Sequence, residues 1–345
     1  MPSSSSVLLR ALTIACCIAA TTQAGAQYAE PIGVQPAELI AVQTVEPDTA
    51  LMEGPVDPCL FRSEGCTAPQ RADMCESAGY RTASRIGAAT AFAGAQAVLW
   101  SYFENAWWSG EEAKGFFFRA DWDDDMRDQD KFGHFFGGYH LTRIGAAVLR
   151  NACISPNKAI ALSAIYATLF QLQIEIWDAR FEKYGFSYPD LIANTAGMAY
   201  AVAQQKYPTL QRIKPTISYS RSAAMRARDA GRIPDSEIRT SLDYSGQTYW
   251  ISSEVDPFLP PAARPYWPDV LRFSVGHSIT DWIDPVTGQS KRAQRKILLS
   301  LDFDASKLPG EHPLWRTVKN TISYIRLPAP ALQIAPSFEG IGWYR

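Results

Sequence analysis

The spacing of hydrophobic and polar positions changes twice along the chain. Over residues 78–104 Ala and Gly dominate, interrupted by single large apolar residues and by no proline, which predicts a long helix. Gly87, Ala91 and Gly94 share one face of it at i, i+4 and i+7, spacing that predicts close approach by a second helix. A turn-rich insert with Trp107, Trp108 and Phe116-Phe117-Phe118 follows. The second helix is predicted from about Asp130 to Asn151, with Gly133 and Gly137 as another close-packing pair. Ser155-Pro156-Asn157 breaks the chain, and a third helix runs from about Asn157 to Phe181. The fourth opens on Ser187 as N-cap, with Pro189 in its first turn and Asp190 at N3, and ends near Tyr207-Pro208. Four helices joined by short loops predict a four-helix bundle.

After Lys214 the period falls to two. Thr248-Tyr249-Trp250-Ile251 follows a Ser245-Gly246 turn, and residues 271–275 and 299–304 alternate, which predicts a sheet with one buried and one solvated face. Leu314, Trp315, Val318 and Ile322 mark one amphipathic helix, stopped by Pro328. The expected class is α+β: a helical bundle over 76–210, then a β-rich antiparallel module with one amphipathic helix over 211–345. Residues 27–75 are rich in Pro, Glu, Ala and Gln without periodicity and read as an irregular lead-in.

Arg10, the apolar run 11–20 and Ala24-Gly25-Ala26 have the layout of a secretory signal peptide over 1–26, cut after Ala26. Acylation would need Cys16 or Cys17, but Thr13-Ile14-Ala15 is a poor match to the usual context. Export changes how the cysteines read. Of six, the leader removes two and leaves Cys59, Cys66, Cys75 and Cys153, which allow three pairings. Cys59 and Cys66 close a short loop. Cys75 precedes the first helix and Cys153 ends the second, so antiparallel helices bring them together; the expected bonds are Cys59–Cys66 and Cys75–Cys153. A net charge of −2 with scattered Lys and Arg argues against nucleic acid. The apolar runs 86–100, 159–170 and 191–203 are each shorter than the roughly 18 residues of a clear span. Aromatic residues near helix ends (Trp100, Trp107, Trp108) favour contact with a membrane or envelope component.

Against this background one polar group stands out. Asp130 and His134 share a helix face with Lys131 beside them, Glu175 and Asp178 share a face of the third helix, and Asp190, Asn194 and Gly197 do so on the fourth. Three helices can therefore aim these side chains at one point. Such a cluster can bind a metal, with His134, Glu175 and Asp178 as ligands. It can equally supply an acid–base pair, with Asp130, Lys131, His134, Glu175, Asp178 and Asp190 as the catalytic candidates. The bland alternatives are caps at Asp130 and Asp190, a buried ion pair from Lys131 to Glu175 or Asp178, and a satisfied core histidine. Asp121, Asp123 and Asp125 fit the first positions of a calcium loop, but Met126 stands where Gly is needed and Phe132 where Glu is needed. The run reads instead as a solvated acidic turn. No motif identifies a cofactor or any common enzyme class.

The Asp-Lys-x-x-His-Phe of 130–135, the Glu-x-Trp-Asp of 175–178 and the Gly-Phe-Ser-x-x-Asp-Leu-x-x-Asn-x-x-Gly of 185–197 resemble the YfiM-like family of predicted periplasmic lipoproteins, a domain of unknown function. DYSGQTYW (243–250) and Leu-Pro-Ala-Pro-Ala-Leu (327–332) resemble its longer members. The polar pattern is also similar, more weakly, to VanZ-like membrane proteins. These resemblances imply an envelope location, a helical core and a shared polar cluster, and no reaction. Two functions are expected from the chain as it stands: an exported, membrane-associated envelope protein with a scaffolding or maintenance role, or a hydrolase or transferase acting on an anionic envelope lipid or glycan.

Overall fold

The computed structural model describes residues 74–108, 111–233, 241–310 and 312–344. The signal peptide, nearly all of the lead-in and the Cys59–Cys66 bond lie outside the described residues. The four long helices fall close to their expected limits: α1 (Ala78–Ala106), α2 (Gln129–Asn151), α3 (Pro156–Asp178) and α4 (Tyr188–Lys206). Phe118–Arg119 (β1) and Phe186–Ser187 (β2) pair in parallel, which pins the loop before α2 to the start of α4. Then come β3 (Ile213–Tyr219), α5 (Ala223–Asp229), β4 (Gln247–Glu254), β5 (Leu271–Ile279), β6 (Arg295–Phe303), α6 (Pro313–Ile322), β7 (Ala329–Ala335) and β8 (Glu339–Tyr344). The chain is α+β, and the strands β3 to β8 form one antiparallel meander in sequence order. The last two strands occupy the Pro-punctuated tail, where Pro330 and a register shift obscure the alternation.

The helix α2 packs against both α3 and α4, which also touch each other, while α1 leans on α3 through Phe92 against Tyr166, Trp100 against Trp177 and Phe103 against Phe170. The expected Cys75–Cys153 disulfide is present and ties the start of α1 to the end of α2. The glycines that permit tight packing are only partly those expected: a Cβ on Gly133 would lie 2.9 Å from the Tyr249 hydroxyl, but the closest helix contact falls elsewhere. A Cβ on Gly197 would lie 1.9 Å from the Phe135 carbonyl oxygen, and one on Gly138 would lie 2.3 Å from that of Asn194, so α2 and α4 touch backbone to backbone. Gly87 and Gly94 face open space instead. Spacing shows that a face can be approached, not that it is.

The sheet has its two faces reversed from the expected sense. Ser252, Arg272, Ser274, Ser300 and Asp302 are buried, whereas the intervening Ile251, Phe273, Val275, Leu301 and Phe303 are exposed; Ser274 is 0% and Phe273 42% accessible. The buried side is held by charge pairing. Asp304 binds Lys214 Nζ at 2.8 Å and Arg272 at 3.1 Å, and those cations outweigh the effect of burial, holding its carboxyl down at about 2. Ser274 and Thr216 donate to Asp302, and Arg326 stacks on Trp250, which itself donates to Ser218. The free edge of β3 is covered: Ile217 N donates to Tyr324 O, and Arg326 N to Ile217 O.

Alanine at Gly197 forces two backbones apart and is expected to remove about 1–3 kcal/mol of stability. Gly94→Ala, facing open space within a helix, is expected to add about 0.5–1 kcal/mol. Urea denaturation of the two variants checks both signs.

Candidate functional site

The cluster is assembled by the loop before α2 and by the facing sides of α2, α3 and α4. Its fixed point is Lys131, 5% exposed, whose Nζ lies 3.0 Å from Asp121 Oδ2, 2.8 Å from Asp130 Oδ2 and 2.8 Å from Asp190 Oδ1. Burial works against the ammonium, but Asp130 and Asp190 overcome it and raise its pKa. These partners are not the Glu175 or Asp178 that helical spacing offered. Ser187 connects the group to the fold: it accepts from the Asp190 backbone N–H as N-cap of α4 and donates to Asp121 Oδ1 at 2.7 Å. Burial pushes the Asp121 carboxyl up, yet the Ser187 hydroxyl and Lys131 together bring it below its ordinary value.

His134 stands one turn beyond Asp130 on the same face of α2. Its Nδ1 lies 3.1 Å from Asn194 Oδ1 and 3.8 Å from Glu175 Oε1, and its Nε2 lies 3.6 Å from Asp190 Oδ1. Gln171 Nε2 also donates to Asn194 Oδ1, so that oxygen is a double acceptor and Nδ1 carries a hydrogen. Burial lowers the imidazole pKa, but Asp190, Glu175 and Asp130 reverse this and leave it raised. Glu175 is wholly buried; its Oε2 accepts only from Ser187 N at 3.4 Å, and its Oε1 has no hydrogen-bonding partner. Burial drives its carboxyl up to about 8, against the opposing pull of His134. Burial likewise takes Asp178 to about 7, although Trp108 Nε1 donates to its Oδ1.

The structure therefore brings Asp130, Lys131, His134, Glu175 and Asp190 together and sets Asp178 beside Trp108. Two sets can offer metal-ligand atoms within 4.8 Å of one another: His134, Glu175 and Asp190, and Asp121, Asp130 and Asp190. The Lys131 ammonium already serves as cation for the second. Asp190 belongs to both sets and its Oδ1 lies 2.8 Å from the Lys131 ammonium, so a dication in the first would lie close to that ammonium, an unfavourable arrangement. The pattern suits proton sharing better than metal binding. Asp121 was missing from the sequence-derived group because it sits in the acidic run, and that run is not simply solvated. Asp123 pairs with Arg127, Arg292 and Arg295, Asp128 pairs with Arg295, and Ala293 N donates to Asp125 O, which joins the loop to the start of β6.

The raised acids fix how stability depends on pH. A carboxyl whose folded pKa lies above its unfolded value binds its proton more tightly in the native state, so stability is full below the unfolded pKa and falls as pH climbs to the folded one. Glu175 (4.5 to about 8), Asp178 (3.8 to about 7) and the raised His134 all act in this direction. The melting temperature is expected to fall between pH 5 and pH 8, and Glu175→Gln to flatten that slope; calorimetry across the range is the check.

Residues 120–206 match the model of a family described as predicted periplasmic lipoprotein (DUF2279), a segment that holds the whole cluster apart from Trp108. No curated protein and no solved structure matches the chain. The family description agrees with export to the periplasm and association with a membrane.

Proposed function

We propose that this exported envelope protein carries a proton-handling acid–base centre, with His134 as the member that meets solvent and Glu175 and Asp190 as the carboxyls that share its proton. The observation that carries the reading is Glu175 Oε1, buried without a donor, 3.8 Å from an imidazole whose side chain is 23% exposed. A purely structural network satisfies its buried acceptors. This one keeps a protonatable acid behind a reachable base, which suits removal of a proton from a water or hydroxyl in hydrolysis or group transfer. An envelope lipid or glycan is the substrate class. Lys131 has three carboxylates around it and sets their charge; an anionic substrate would need another cation.

A scaffolding role is the second reading, favoured by that same ammonium, which ties the loop before α2 to both α2 and α4. Nitrogen-detected titration of His134 separates the two. An imidazole pKa above 6.5 that drops in Glu175→Gln supports the acid–base centre, whereas an ordinary value that ignores the substitution leaves the cluster a structural tie. Stoichiometric metal in the purified protein, lost in folded His134→Asn and Asp190→Asn variants, would replace the proton by a metal ion.

A further inference from the structure

The outer faces of α1, α3 and α4 form an uncharged surface. No Asp, Glu, Lys, Arg or His occurs over residues 86–103 of α1, 159–174 of α3 or 191–205 of α4. The ionisable side chains of the bundle turn inward instead: Lys131, Arg143, Arg150 and Glu175 are all buried. Ile86 and Val98 of α1, Ile165, Leu169 and Ile176 of α3 and Ile192 of α4 are exposed. Among the described residues α3 is the one helix long and apolar enough to cross a membrane, yet only 44% of its apolar stretch is buried, so most of that stretch is not core. The hydroxyls on this surface need no outside partner. Thr168 donates to Ala164 O and Thr195 to Leu191 O, each within its own helix.

The rim of the surface says what covers it. The Cys75–Cys153 bond ties the start of α1 to the end of α2, α3 begins after a short loop, and Arg150 donates to Gln205 near the end of α4, so these ends lie together. Arg85, Lys158 and Lys206 are exposed there, and none of the three pairs with a carboxylate among the described residues. Glu76 is the one acid in the neighbouring segments 74–90, 150–160 and 203–208. Cations without counter-charges beside an uncharged apolar face match an anionic phospholipid, with acyl chains for the face and phosphates for the rim. At the opposite end the exposed Phe118 and Tyr188 stack together, aromatic residues of the kind that settle at a bilayer interface.

The β-rich half decides the orientation. It packs along α2, through Gln129 on His277 at the start and Arg143 over Tyr324 about four turns later. An upright bundle would carry the open edge of β8 into hydrocarbon, where unpaired backbone groups are not tolerated. We infer that the outer faces of α1 and α3, with Ile192 of α4 beside them, lie side-on in one leaflet of an anionic phospholipid bilayer, with Arg85, Lys158 and Lys206 on its phosphates. Attachment of this kind needs no acyl chain. The surface is separate from the acid–base centre and stands or falls without it.

The test is flotation with vesicles of phosphatidylglycerol and phosphatidylcholine in equal parts, and with phosphatidylcholine alone. The mature protein is made without residues 1–26, so that no acyl chain contributes. Binding to the mixed vesicles is expected, about tenfold weaker without phosphatidylglycerol. Ile165→Glu and Leu169→Glu, at exposed positions that leave the melting temperature unchanged, should each weaken it about tenfold, while Phe273→Glu on the exposed face of the sheet should not. Wild-type protein that stays unbound, helix variants that bind as the wild type does, or binding lost in Phe273→Glu instead, overturns the proposal. A dimer in solution that Ile165→Glu dissolves, without vesicle binding, also overturns it and gives the surface to a second copy of the chain. Should the helix variants unfold, a polarity-sensitive fluorophore on Ala161→Cys decides. A blue shift on mixed vesicles supports the docking, and an unchanged spectrum overturns it.

Discussion

The Lys131 ammonium is the interaction on which the helical half depends. Three carboxylates from the loop before α2, from α2 itself and from α4 converge on it, and none of the three has another cation so close. Losing the ammonium while keeping the acids would leave uncompensated buried charge, typically a loss of about 3–5 kcal/mol. Its geometry also dictates that of its neighbours. Asp121 reaches Lys131 only because the loop turns back through Asp123, Arg127 and Asp128, all at positive φ, a conformation that non-glycine residues adopt at a cost. Arg292 and Arg295 of the β-rich half hold those turns from outside. The same Asp121 receives the Ser187 hydroxyl, so the charge network reaches the cap of α4.

What the sequence made legible was local. Helix limits, the Ser187 cap and the Cys75–Cys153 pairing followed from period, capping chemistry and antiparallel geometry, each decided within a few residues or by one topological assumption. Most of the candidate site was legible for the same reason, since Asp130 with His134 and Asp190 with Asn194 lie on helix faces whose direction is fixed by spacing. The failures were failures of partner. Nothing in a run of aspartates says that Asp121 turns inward while Asp123 pairs with arginines far along the chain. Glu175 and Asp178 share a face, yet a tryptophan claims one and a histidine faces the other, and only the fold decides which. Gly138 and Gly197 carry the close contact that Gly87 and Gly94 equally advertised.

The sheet shows the limit most sharply, because a period of two identifies two faces without saying which is inside. Small polar residues usually mark the wet side of a half-buried sheet. Here they are interior, since Asp302 and Asp304 have their partners there: Lys214 and Arg272, together with a row of hydroxyls. A charged interior of this kind is seldom more stable than an apolar one, because desolvation offsets most of the Coulomb gain. It does exclude slipped registers, as moving one strand by a single residue would carry Arg272 or Asp302 to the outside and leave its partner buried alone. The reversal has a second consequence on the exposed side. The outward positions of β4, of β5 and of β6 from Ile297 to Phe303 carry no Asp, Glu, Lys or Arg. The inward face keeps Trp250 and Leu298 as its apolar centre, with the charges and hydroxyls arranged around them. The charge network that fixes register on one face is thus also what frees the other face to be apolar.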